Sequence, residues 1–127
     1  MIVIYGIREQ LVPRQVPLSN AIHSCMQSVL GLPEDKRFHR FVPLEREGFF
    51  YGAGRSDAYT VIEIRMMAGR KVETKKALIH ALFHEIESDV GLAPADVEIT
   101  IMEQPAHCWG FRGLTGDEAQ LNYSVEV

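Results

Sequence analysis

The sequence predicts an α+β fold of two tandem β-α-β units in one subunit, with the helices on one face of the sheet. Three observations lead there. Short runs rich in β-branched residues alternate with two long amphipathic stretches, and each amphipathic stretch stops at a Gly-Leu pair. The chain also matches itself when shifted by sixty residues. Ile2 and Ile4 then fall on Ile62 and Ile64, Leu18 on Leu78, Met26 on Ile86, and Gly31-Leu32 on Gly91-Leu92. A single domain over 1–127 is expected, with pseudo-repeat halves of about 1–58 and 59–127.

In the first half, MIVIYGI is a strand, short and β-branched. After Pro13 and Pro17, LSNAIHSCMQSVLG sets Leu18, Ile22, Cys25, Met26 and Val29 on one helical face. Gly31 and Pro33 end that helix. RFHRFVPL is the second strand, and EREGFFYGAGRSD is a connector turning at Gly48, Gly52 and Gly54. The second half repeats the plan. AYTVIEIRM alternates as a strand, and VETKKALIHALFHEIESDVG turns Leu78, Ile79, Leu82, Phe83 and Ile86 inward. VEITIME closes the unit, and YSVEV near the end is a candidate strand on a neighbour.

Composition narrows the function. Thirteen basic against seventeen acidic residues give a net charge of −4, with no basic block, so nucleic acid is not an expected partner. No apolar run approaches the ~20 residues that span a bilayer, and MIVIYGIREQ has no export-signal pattern. Two cysteines, Cys25 and Cys108, make no disulfide framework. A soluble cytoplasmic protein is the expectation.

The chemistry-bearing residues gather in EQPAHCWGFRG, Glu103–Gly113, which holds the only tryptophan. Trp109 suits either a packed hairpin or a pocket wall. His107 and Cys108 are adjacent and would point apart in a strand. His80 and His84 lack the metalloprotease pattern and belong to a solvated face, so no metal site is expected. Cys25 belongs to the core and Lys75-Lys76 to the surface. GAGRS at Gly52–Ser56 lacks the spacing and the lysine of a phosphate loop.

VIEIRMMAGR, the helix opening GRKVETKKALI, the passage GLAPADVEITIME and HCWGFRG, in this order, resemble the tautomerase superfamily. Its members include 4-oxalocrotonate tautomerase, macrophage migration inhibitory factor and malonate semialdehyde decarboxylase. The doubled length is similar to the fused two-unit members, which implies a homotrimer with sites at subunit interfaces. Carried over by position, Arg70 falls on the family's carboxylate-binding arginine and Trp109 on its aromatic pocket wall. A guanidinium offers a rigid fork to a carboxylate, and an indole lowers the local dielectric beside an amine. The resemblance implies no cofactor.

Two departures stand out. The family's base is an amino-terminal proline, whereas this chain begins MIV, and bulky Ile2 is expected to leave Met1 in place. Glu98 occupies a position where one branch carries a second arginine, and Arg65 and Arg112 are candidates to restore that charge. A primary α-amine titrates near ~8, and burial beside Arg70 would lower it toward a general base. Two functions follow. One is a keto–enol tautomerase acting on a small anionic enol or α-keto acid, with Met1 moving the proton and Arg70, Trp109, Arg65 and Arg112 binding substrate. The other is a non-catalytic trimer that binds a ligand or partner and has lost the proline base.

Overall fold

Alternating apolar residues make the strands, and their order along the chain makes one mixed sheet. The computed structural model describes residues 1–127. Strand β1 (Ile2–Ile7) leads into a short helix α1 (Arg8–Leu11), a 3-10 turn (Val12–Arg14) and helix α2 (Gln15–Leu30). Strand β2 (His39–Leu44) completes the first unit. Strand β3 (Thr60–Met67), helix α3 (Val72–Val90) and strand β4 (Val97–Gln104) form the second. A hairpin of β5 (Gly110–Phe111) and β6 (Leu114–Thr115) follows.

The sheet order is β2-β1-β3-β4. β1 runs parallel to β2 and β3 runs parallel to β4, each pair joined across a helix. β1 and β3 meet antiparallel at the centre, with Ile2 opposite Ile64 and Ile4 opposite Ile62. The sixty-residue repeat is exact in register: Ile2 pairs with His39, and Ile62 pairs with Ile99. Even the 3-10 turns recur, Arg46–Gly48 after β2 and Ala106–Cys108 after β4.

One sheet face carries the core. Ile2, Ile4, Ile62, Ile64 and Met66 pack with Leu18, Ile22, Cys25 and Met26 of α2 and with Leu78, Leu82 and Ile86 of α3. Each large aliphatic side chain buried in this way contributes about 1.5–3 kcal/mol. Ile79 and Phe83, expected inward, are half-buried at the margins of α3. The opposite face has no helix over it. Val3, Tyr5, Val42, Val61 and Met102 lie there beside Arg40, Glu63, Arg65 and Thr100.

Two local features go beyond the expectation. The first helix begins before Leu18, because Pro17 sits in the first turn of α2, where its missing N–H has no intrahelical partner to lose. Residues of the YSVEV tail form no strand. They lie against their own chain, where the Val127 carbonyl accepts from Lys71 N–H at 3.0 Å and from the Thr74 hydroxyl at 2.9 Å. Those donors open α3, whose first-turn N–H groups have no partners within the helix.

Both long helices end on glycines in the left-handed region, Gly31 at φ 69° and Gly91 at φ 79°, with nothing near enough to meet an added methyl group. Gly31→Ala and Gly91→Ala should therefore each lower stability by about 1 kcal/mol through backbone conformation alone. Urea denaturation of the two single variants should give similar losses.

Candidate functional site

The antiparallel meeting of β1 and β3 decides where the reactive side chains go. It puts the start of β1 and of its parallel neighbour β2 at the same sheet end as the finish of β3 and β4. Met1 therefore meets the segments that follow β3 and β4. The Met1 amine donates to the Arg65 carbonyl at 2.9 Å, and Arg65 N–H donates back to the Met1 carbonyl at 2.8 Å. Met1, held in this way, lines a cavity of about 460 Å³.

All five residues singled out from the sequence line this cavity: Met1, Arg65, Arg70, Trp109 and Arg112. Arg70 is the deepest cation, only 7 % exposed. It follows β3 through Gly69, whose φ of 143° brings the chain against Val125. One terminal nitrogen donates to the Met67 carbonyl at 3.3 Å, while Nε is buried without a partner. Burial lowers its pKa, partly offset by Tyr123 and Glu103. No carboxylate bridges it, and an unpaired buried charge is costly. A ligand carboxylate would supply the missing partner.

Trp109 is held by its indole N–H, which donates to the Gln104 carbonyl at 3.3 Å, and by the hairpin folding back so that Gly116 N–H reaches the Trp109 carbonyl at 2.7 Å. Gly116 is obligatory, since an added methyl would run into the Ala106 carbonyl and approach Met67 and Trp109. Arg112 and Gly113 form the hairpin tip with φ of 53° and 78°, a two-residue turn with both dihedrals left-handed. Glu98 does not line the cavity. It sits toward the other end of β4, 3.8 Å from Arg55.

Sequence reasoning missed several lining residues. Lys36, Phe38, His39 and Arg40 all come from the entry to β2, and Tyr123 from the tail. Lys36 Nζ lies over three rings, 5.3 Å from the Phe38 centroid, 5.9 Å from Phe111 and 5.1 Å from Tyr123. Arg40 lies against the Met1 thioether. His39 shares a 2.7 Å hydrogen bond with Ser19 and is brought down to about 4, chiefly by burial and then by Arg37, so its imidazole is neutral at pH 7. The available signal was topological: a parallel β2 starts beside the start of β1. No acidic residue lines the cavity, so its charged lining is wholly cationic. No group of three or more His, Cys, Asp or Glu side chains comes together elsewhere to hold a metal, and no helix is long and apolar enough to cross a membrane.

The electrostatic result falls on Met1. Its amine is lowered from about 8 to about 6, first by burial and then by Lys36, Arg40, Arg65 and Arg70. At pH 7 the neutral, proton-accepting form predominates. Known proteins resemble this chain over most of its length. The family model described as "Tautomerase enzyme" matches residues 36–112, more than half of the chain. The chain belongs to the tautomerase family. It is 30% identical over 99 residues to a probable tautomerase, YusQ, of Bacillus subtilis (strain 168), covering 74% of this chain and 78% of that protein. Its fold is similar to that of FG41 malonate semialdehyde decarboxylase inhibited by 3-bromopropiolate (27% identity, TM-score 0.78, 87% of this chain and 88% of that one). It is also similar to an asymmetric trimer of the fused 4-OT R7 (20% identity, TM-score 0.80, 92% and 96%).

The Met1 amine should titrate near pH 6, as read from the pH dependence of its modification by an amine-selective reagent. Arg40→Gln removes one of the cations that disfavour the protonated form, so the midpoint should move upward, toward 8, while the part due to burial remains.

Proposed function

We propose that this tautomerase-family chain is a keto–enol tautomerase of a small anionic enol or 2-oxo acid. The observation that carries the reading is that a lowered α-amine and a buried, unpaired guanidinium line one cavity. Arg70 takes the substrate carboxylate in a forked pair. Met1, neutral at pH 7, accepts the enol or α-carbon proton and returns it to the other atom. Trp109 and Phe111 supply apolar wall, and Arg65 and Arg112 hold negative charge as it shifts toward the oxygen. The same cation set argues against a neutral or cationic substrate.

A homotrimer belongs to the same proposal. The helix-free sheet face leaves Tyr5, Val42, Val61 and Met102 only half covered, which a neighbouring copy would bury. The related fused 4-OT R7 assembles as a trimer. One observation favours the alternative of a non-catalytic binding protein: the amine is the primary one of Met1, where the resemblance called for proline.

The test is ketonisation of an arylenolpyruvate followed by absorbance. Activity should rise with pH through about 6 and then level, because the base must lose its proton. Arg70→Ala should lower kcat/KM by a factor on the order of 10² or more, since the substrate charge loses its buried partner. A background rate for the parent protein, together with measurable binding of the same anion, would favour the binding protein. Light scattering in solution should show three chains per particle, and Val61→Lys on the helix-free face should shift it to monomer.

A further inference from the structure

The amine of Met1 differs from a ring nitrogen in what it can form. A secondary amine meeting a carbonyl gives only a permanently cationic iminium. A primary amine gives an imine that can lose its charge. In this cavity that difference is large, because Lys36, Arg40, Arg65 and Arg70 all act against positive charge at the Met1 nitrogen.

The surroundings fit a nucleophile. The amine has one anchoring hydrogen bond, to the Arg65 carbonyl at 2.9 Å, and no ion-pair partner among the lining residues. Met1 also lines a second cavity of about 190 Å³, with Arg65, Met102, Gln104, Cys108 and Trp109, which shares three residues with the larger one. Met1 thus has open space beside it in both cavities. The unpartnered Arg70 Nε, in a side chain more than nine-tenths buried, awaits an anion in the larger cavity.

We propose that the Met1 amine is a covalent catalyst that condenses with the carbonyl of a small 2-oxo acid whose carboxylate rests on Arg70. The nitrogen lone pair forms the N–C bond and the carbonyl π pair moves to oxygen, giving a carbinolamine after proton transfer. The C–O bond then breaks, and the oxygen leaves as water carrying one proton from the amine and one from Lys36, so no oxidant or further reactant is needed. Lys36, the lysine that lines the cavity, is the donor of that second proton and regains one from solvent. In its protonated form the imine keeps one N–H for the Arg65 carbonyl. It draws electrons from the adjacent carbon, so the proton there leaves more readily, which is the proton the tautomerase reading already moves. The proposal rests on that reading for its substrate class.

The experiment uses the full chain with pyruvate and cyanoborohydride, read by intact mass and peptide mapping. The expected product is a single N-(1-carboxyethyl) group on Met1, with saturable dependence on pyruvate. Acetone, which has the carbonyl without the carboxylate, should label Met1 at least about tenfold less under the same conditions, as should pyruvate with Arg70→Ala. The acetone comparison needs no variant, so it stands even if Arg70→Ala misfolds. Absence of an adduct, an adduct on lysines alone, equal labelling by acetone, or a mass without a free amino-terminal Met1 overturns the proposal. Ketonisation without any adduct would overturn covalent catalysis and leave the tautomerase intact; loss of both would remove the two together.

Discussion

The reciprocal pair of backbone hydrogen bonds between Met1 and Arg65 is the constraint on which this site depends. It is the last rung of the β1–β3 ladder, and it exists because Ile2 lies opposite Ile64 and Ile4 opposite Ile62. That register is enforced by burial. All four isoleucines point into the helix-covered core, and slipping one strand by one residue would turn a row of them onto the bare face. Core packing thus holds the α-amine in place, and ordering an amino terminus without such support is costly.

The duplication explains both the economy of the fold and the singleness of the site. Because register, helix caps and 3-10 turns all repeat at a shift of sixty, the sheet has two similar ends. Only one is cationic. By the shift, Met1 corresponds to Val61, Arg70 to Gln10, Lys36 to Asp96, Arg40 to Thr100 and Trp109 to Phe49. At the second end Gln10 holds Arg14, Asp96 accepts from Ser56, and Phe49 packs with Tyr51 and Tyr59. Groups that are left open at one end are satisfied among themselves at the other. An interior chain position such as Val61 also has no amine to offer, so the copied scaffold presents the proposed base only once.

The sequence showed what local pattern controls. Strand and helix positions, the glycine caps and the repeat all follow from side-chain periodicity and from the αL preference of Gly31 and Gly91. Arg70 and Trp109 were legible because resemblance in the second half marked them, and Arg65 and Arg112 were picked out only as nearby cations that could offset Glu98. Lys36, His39 and Arg40 were not, although they sit in one short run. Nothing in RFHRFVPL distinguishes Arg40, which faces the cavity, from Arg37, which reaches Asn20 instead. Only the parallel pairing of β1 with β2 makes that distinction. The tail's contact with its own chain was not legible either, since its partner there is the opening of α3.

One electrostatic field serves two purposes here. Arg70 is kept buried without a carboxylate, which lowers stability and leaves a strong receptor for an anion. The same cations press on the Met1 amine and help keep it neutral while the cavity holds no anion. On the proposed function, a carboxylate settling on Arg70 would cancel part of that positive field and make the protonated amine less unfavourable. The proposed base would then be strengthened by the arrival of the molecule from which it takes a proton. Burial remains the larger influence on the amine, so it does not revert to an ordinary surface ammonium. A cavity wall that contained a compensating aspartate or glutamate would weaken both effects, which gives physical meaning to the absence of acids around Met1.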